Sequence, residues 1–253
     1  MGSPAIRLCA DRGELFRAAA EEITARALAA ASGSPGLFTL ALAGGTTPRD
    51  LYRLLADENE SYSPRLPWGQ MHFFWGDERH VPPEHPDSNY RLAKEAMLDV
   101  APVPRGNVHR IHAEEPDAAR AAGEYEERIR EFFHLEAGQL PRIDLVLLGL
   151  GPEGHTASLF PGSAALSDGD HIVAAPWVEK LQSFRITLTP RAINAAAAVL
   201  FLVSGEEKAA AVEAALASDV APDVCPARAI RPRDGDLLWF LDRAAARRLD
   251  AGA

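Results

Sequence analysis

Only two cysteines, Cys9 and Cys225, occur in the 253 residues. Thiols so far apart in sequence offer neither a disulfide framework nor the spacing of a zinc knuckle, and they fit a reducing compartment. Lysine is scarce as well: Lys94, Lys180 and Lys208 stand alone among 26 Lys plus Arg residues. Schiff-base chemistry therefore has few candidate nucleophiles. No apolar run approaches the roughly 20 residues of a membrane span, and Arg7, Asp11 and Arg12 interrupt the first dozen positions, so neither export nor insertion is expected. Positive charge is in deficit. A formal net charge of -10 argues against nucleic acid as a partner, although a locally positive pocket in an acidic protein can still hold a small anion. Internal repeats and low-complexity linkers are missing too. With 47% hydrophobic and 25% charged residues, the chain reads as a globular cytoplasmic protein, folded as one domain over residues 1–253.

What is present is alternation. Residues 11–31 carry Leu15, Phe16, Ala19, Ile23, Ala27 and Leu28 at helical spacing, with Asp11 as cap, and residues 116–136 form a second amphipathic helix with Tyr125, Ile129, Phe132 and Phe133 inward. Between the helices lie apolar strands at 37–43, 71–75, 143–148, 198–203 and 237–241, shorter strand candidates at 107–111, 171–175 and 184–189, and a short polar helix after 241. Alternating strands and helices predict an α/β fold: a mainly parallel, Rossmann-like open sheet with helices on both faces.

The stretch from Ile143 to Gly162 is the most informative. A buried strand runs into Gly149, Gly151 and Gly154, and the chain then delivers His155 at the start of a short helix, where open α/β sheets place their active sites. These glycines also spell the dinucleotide fingerprint. Pro152 inside the loop, Pro161 soon after it and the lack of an early βαβ unit count against that reading. A second loop, Gly44-Gly45-Thr46-Thr47-Pro48-Arg49-Asp50, places Pro48 at the first position of a helix, with Thr47 as cap and Asp50 in a capping-box-like position. It serves equally as a phosphate cradle or as a plain strand-to-helix turn. Asp77, Glu78, Arg79 and His80 crowd one strand end, an arrangement that is costly unless it faces a cleft. His80 and His85 lack the spacing of a helical metal pair. Ser204 and Glu207 have capping-box spacing for a helix over 206–217, and Lys208 then falls in its first turn, where a cation is unfavourable without a nearby anion.

Taken together, Leu42-Ala43-Gly44-Gly45-Thr46-Thr47-Pro48, Trp75-Gly76-Asp77-Glu78-Arg79, Asp87-Ser88-Asn89-Tyr90, Gly149 through Pro161, and Arg185-Ile186-Thr187-Leu188-Thr189 resemble the 6-phosphogluconolactonase family across most of the chain. That family belongs to the wider group of glucosamine-6-phosphate deaminase and ribose-5-phosphate isomerase-like enzymes. Two positions depart from its pattern: Glu153 stands where the family usually has Asp, and Thr46 where it has Ser. The resemblance implies hydrolysis of 6-phospho-D-glucono-1,5-lactone in the oxidative pentose phosphate pathway, with no cofactor and no metal. The partner is then a small anionic sugar-phosphate lactone, and the protein a monomer or weak homodimer. A lactone is an activated ester, so a general base and charge stabilisation of the oxyanion suffice. His155 is the candidate base, Arg79 the group that steadies the oxyanion or the substrate, and Asp77 the group that orients Arg79 or His155. Gly44, Gly45, Thr46, Thr47 and Lys208 are expected at the phosphate, with Arg185 reaching into the cleft.

Rival readings differ in testable ways. A glucosamine-6-phosphate deaminase would continue the Gly-His loop with Ile-Gly-Phe-Asn-Glu, where this chain has Thr156-Ala157-Ser158-Leu159-Phe160. A nicotinamide oxidoreductase needs a long helix after Gly154. A non-catalytic sugar-phosphate sensor would keep the phosphate loop and tolerate loss of His155.

Overall fold

The computed structural model describes residues 4–217 and 219–249. In chain order its main elements begin with β1 (Ala5–Cys9), α1 (Arg12–Ala31), β2 (Phe38–Leu42), α2 (Thr46–Ala56), β3 (Met71–Trp75) and β4 (Asp77–Arg79). They continue with α3 (Asn89–Ala93), α4 (Ala118–Phe132), β5 (Leu145–Leu148), β6 (Val173–Ala174), β7 (Trp177–Val178) and β8 (Ser183–Leu188). The last are α5 (Pro190–Ile193), β9 (Ala198–Val203), α6 (Ala209–Leu216) and β10 (Asp236–Asp242). Among the described residues no helix is long and apolar enough to cross a membrane.

Six strands form one parallel sheet in the order β1-β10-β9-β5-β2-β3. Every residue of β2, β5 and β9 is buried, so the sheet is covered on both faces, as its apolar runs require. Helix α1 packs on β1, β2 and β10 and against α2. This is the mainly parallel, Rossmann-like α/β architecture that the alternation predicts. From β2 the chain steps outward to β3 and then returns to place β5 on the other side of β2. The crevice between the carboxyl ends of β2 and β5 is therefore the switch point where such sheets bind ligands. Cross-strand packing reinforces the far half: Phe201 and Trp239 pair in register and stack at 3.9 Å.

A second, antiparallel sheet grows from the end of the first. Gly76 N donates to Leu42 O at 2.9 Å and so extends the parallel ladder by one bond, while its carbonyl accepts from Leu188 N at 2.8 Å. The next residues, β4, then pair with β8, which also pairs with β6 and β7.

Several local expectations are corrected. Strand β1 escaped the sequence because it is an edge strand whose first four residues are exposed and carry no buried alternation. Residues 107–111 contribute only an isolated bridge, Val108 to Phe73. No helix follows His155, because residues 156–162 form turns closed by a Thr156–Leu159 bridge, and the polar segment after β10 is likewise a series of turns. Gly45, not Thr47, caps α2. The Ser204–Glu207 capping box does not form, because Ser204 Oγ bonds to Asp242 Oδ2 and Gly205 takes the cap position. Asp11 does cap α1, accepting from Glu14 N, and Ser88 caps α3.

Two tyrosines clamp the strand ends where the sheet opens. Tyr52 Oη accepts from Ala43 N at 2.9 Å and donates to Ala43 O at 2.7 Å, and Tyr125 Oη does the same for Trp75 N at 2.8 Å and Trp75 O at 3.0 Å. Both side chains are buried, so each hydroxyl satisfies two backbone groups that water cannot reach. Tyr125→Phe, which leaves both unpaired, is expected to destabilise the protein by about 1–3 kcal/mol with little change in the slope of a urea unfolding curve. An unchanged midpoint would show that these backbone groups find other partners.

Candidate active site

The loops after β2, β3, β5 and β9 converge on a cavity of 310 Å³ at the switch point. It brings together Gly44, Gly45, Thr46, Thr47, Asp77, Arg79, His155 and Lys208, residues from four separate stretches of sequence. Arg185 lines an adjoining cavity of 440 Å³ that shares Asp77, Arg79 and His155 with the first.

Two helical N-termini point into this space, and each is preceded by a glycine in a conformation that side chains disfavour. Gly45 has φ +102° and Gly205 φ +104°. No side chain caps α2, and Pro48 contributes no N–H, so the amides at the start of that turn remain available to an anion. Lys208 ends the single 3₁₀ turn Glu206–Lys208 that leads into α6. It forms no ion pair among the described residues.

Strand alternation sorts the ionisable cluster at residues 77–80. Asp77 and Arg79 face the cavities, whereas Glu78 points the other way and is 2% exposed. Its carboxylate accepts from the backbone N–H groups of Arg79 (2.8 Å), Asn89 (2.7 Å) and Tyr90 (2.8 Å) and from Ser88 Oγ (3.1 Å). Glu78 thus ties β4 to the start of α3. Burial pushes its pKa up against these stabilising bonds. Asp77 is fixed from two sides: Oδ2 accepts from Ser158 Oγ at 2.7 Å, and Asn89 Nδ2 donates to its carbonyl at 2.9 Å. The Arg79 guanidinium donates to the carbonyl of Asp87. Asp77 therefore anchors to Ser158 and Asn89, and neither Arg79 nor His155 is its hydrogen-bond partner.

His155 sits on a tight loop in which Gly151 N donates to His155 O at 2.8 Å and Gly154 N to Gly151 O at 3.0 Å. The ring lies directly against Gly151, where a Cβ would come within 1.9 Å of His155 Nδ1, and stacks on Phe160 with centroids 4.3 Å apart. Glycine at 151 is what lets the imidazole fold back on its own loop. Nδ1 is buried and lies 3.1 Å from Glu153 Oε2, close enough for an ion pair but outside hydrogen-bond geometry. The other carboxylate oxygen of Glu153 accepts from Lys180 Nζ at 2.9 Å. Burial outweighs the attraction of Glu153 and Asp77, so the His155 pKa falls below its ordinary value, with Lys208 pushing the same way. For Glu153, burial alone would raise the pKa, but Lys180, a backbone N–H and His155 hold it down at about 2. Arg185 is lowered first by burial and then by Arg79, its direct cross-strand neighbour.

Chemically, the site offers a neutral imidazole with a fixed carboxylate behind it, cations on several walls and amides suited to an anion. Among the described residues no group of three or more His, Cys, Asp or Glu side chains is placed to hold a metal ion. Asn89, Ser158 and Lys180 were not among the candidates singled out from sequence. Asn89 and Ser158 lie inside motifs that carry the resemblance. Lys180 lies outside them, and its only signal was the scarcity of lysine.

Comparison with known proteins follows the same line. Residues 10–239 match the family model described as glucosamine-6-phosphate isomerases/6-phosphogluconolactonase. A 6-phosphogluconolactonase of Synechocystis sp. is 44% identical over 85% of this chain and 85% of its own length, and one of Nostoc sp. is 42% identical with the same coverage. The structure of 6-phosphogluconolactonase from Trypanosoma brucei superposes with a TM-score of 0.85 at 32% identity, over 98% of this chain and 100% of that one. With the fold, the loop set and these matches in agreement, the chain belongs to the glucosamine-6-phosphate isomerase/6-phosphogluconolactonase family.

Proposed function

We propose that this protein is an enzyme that hydrolyses 6-phospho-D-glucono-1,5-lactone to 6-phosphogluconate, in the oxidative pentose phosphate pathway. The observation that carries the reading is His155, its buried Nδ1 beside Glu153, in the same cavity as Arg79, Lys208 and the Gly44–Thr47 turn. The names of the relatives at 44% and 42% identity point to the lactone rather than to an amino sugar. The two buried, free cysteines fit a cytoplasmic setting.

In this reading the phosphate of the substrate takes the amides of Gly45, Thr46 and Thr47 and the ammonium of Lys208, which gives the lysine at a helix start the anion it calls for. The lactone carbonyl then lies toward His155 and Arg79. Glu153 favours the proton on Nδ1, so Nε2 carries the lone pair that takes a proton from water. The resulting hydroxide adds to the carbonyl carbon, and Arg79 offsets charge on the tetrahedral oxyanion. On collapse the ring C–O bond breaks, and the imidazolium returns its proton to the leaving ring oxygen, which becomes a hydroxyl. The acid product loses its own proton to solvent. Asp77, held by Ser158 and Asn89, supplies a fixed negative charge that stabilises the transient imidazolium. No serine or cysteine is hydrogen-bonded to His155 among the described residues, so water is the nucleophile.

His155→Ala should keep the fold and lose kcat by about 10²- to 10⁴-fold, read as 6-phosphogluconate release after subtraction of spontaneous hydrolysis. Near wild-type kcat, or a covalent burst in the wild-type enzyme, would remove His155 from this role. Because the His155 pKa is depressed and the neutral form is the base, kcat/KM should stay level through neutral pH and decline only below about 6.5. An acid limb centred above that value contradicts the assignment. Lys208→Ala should raise KM more than it lowers kcat, since a phosphate contact is equal in ground and transition states. Unchanged KM would place the phosphate elsewhere.

A further inference from the structure

Lys180 sits in the segment between β7 and β8, beyond the walls of the main cavity, and its side chain is 70% exposed. Its ammonium nevertheless ends 2.9 Å from Glu153 Oε1, while Oε2 of the same carboxylate lies 3.1 Å from His155 Nδ1. One carboxylate is thus shared between a permanent cation and the imidazole. The segment that carries Lys180 is itself braced: Trp177 meets Phe184 edge-on at 5.0 Å, Trp177 Nε1 donates to Glu179 Oε2 at 2.7 Å, and Gln182 Nε2 donates back to Glu179 O at 2.9 Å.

The length of Glu153 makes this contact consequential. A glutamate has one more rotatable bond than an aspartate would have at this position, so its carboxylate has more ways to leave the imidazole. Pinning Oε1 removes that freedom. We propose that Lys180 is a positioning residue of the hydrolytic site, which holds the Glu153 carboxylate so that Oε2 faces His155 and whose charge favours the neutral, proton-accepting imidazole. The proposal rests on the reading of His155 as general base.

The charges around His155 set the sign of the effect. Carboxylates of Glu153 and Asp77 favour the imidazolium and Lys208 disfavours it, and Arg79, Arg185 and Lys180 stand as further cations in the walls of the adjoining cavity. Asp87 and Glu207 stand in the cavity walls as further carboxylates. Removing Lys180 subtracts one cation, which raises the His155 pKa, while the loosened Glu153 carboxylate offsets part of that rise; in Lys180→Glu a second carboxylate replaces the cation, so the rise is largest there. Solvent screens an exposed lysine, which keeps the shift modest.

The test uses Lys180→Met, Lys180→Glu and Lys180→Arg, an exposed position where thermal melting confirms an intact fold. Two readouts are followed at low salt: the NMR titration of the His155 ring and the acid limb of kcat/KM. The ring pKa and the acid limb should rise together in Lys180→Met, rise further in Lys180→Glu, and stay at the wild-type value in Lys180→Arg. Plateau kcat should fall by up to about tenfold in Lys180→Met as the carboxylate loosens, and recover in Lys180→Arg. A ring titration that does not move in Lys180→Glu overturns the proposal, whatever kcat does. Failure of the base assignment shows itself separately, as retained kcat in His155→Ala, because the ring titration reads the Lys180 contact without reference to turnover.

Discussion

The site depends on one constraint: a buried strand end with no strand beside it leaves backbone groups that must find another partner. At the carboxyl ends of β2 and β3 those groups belong to Ala43 and Trp75, and two tyrosine hydroxyls from α2 and α4 satisfy both the N–H and the C=O of each. One residue beyond Trp75, Gly76 bonds to both sheets and hands the chain from one to the other. Asp77 and Arg79 owe their place at the crevice to that transfer. The Glu78 carboxylate then closes the junction with three backbone N–H bonds and one hydroxyl. The buried polar groups of this region are therefore one connected network, whose cavity-facing members are the functional candidates. Changing either tyrosine or Glu78 would move the site without touching it.

Close approach does comparable work at two glycines. Asn89 occupies the space that a Cβ on Gly44 would need, with only 1.8 Å between that position and Asn89 Oδ1, and the His155 ring does the same at Gly151. In each case a loop of the first sheet is packed against a side chain that shapes the cavity. Backbone freedom and side-chain placement are here a single requirement, which explains why the loops carry glycines in runs rather than singly. The cost in chain entropy falls where the tyrosine clamps and the buried strands β2, β5 and β9 can carry it.

Much of this was legible in the sequence, and the failures have physical causes. Met71–Trp75 and Ala198–Val203 match their strands residue for residue because buried parallel strands are apolar runs, broken in the first only by half-buried His72. Strand β1 could not be read, since an exposed edge strand carries no such run. The helix expected after His155 failed because Gly154, Ala157 and Gly162 all adopt positive φ, and a loop that folds back to seat the ring cannot continue as a helix. Ser204 and Glu207 had the right spacing for a capping box, but Asp242, far away in sequence, claims the serine. The set of loops at the site was visible as motifs. The pairing of Glu153 with Lys180 was not, because a contact across 27 residues leaves no local pattern.

The remaining physical question is how a chain of net charge -10 presents an anion site at all. The answer lies in which charges are neutralised locally. Glu78 is surrounded by backbone donors and turned away, and Glu153 is paired with Lys180, which leaves Asp77, Asp87 and Glu207 as the other carboxylates of the cavity walls. Arg79 and Arg185, by contrast, sit directly opposite each other on β4 and β8, and Lys208 has no carboxylate partner among the described residues. Like charges facing each other across a strand pair repel, and burial sharpens the repulsion by lowering the local dielectric. Burial followed by the charge of Arg79 accordingly lowers the Arg185 pKa. An anion placed between these cations removes a repulsion that folding alone leaves in place, so part of its binding energy comes from relief within the protein. In the proposed reaction the oxyanion that develops beside Arg79 meets that condition. The cations at this site divide evenly: Arg79 and Arg185 stay charged even when half buried, and Lys180 and Lys208, two of the chain's three lysines, stand where a mobile point charge can reach a carboxylate or a phosphate.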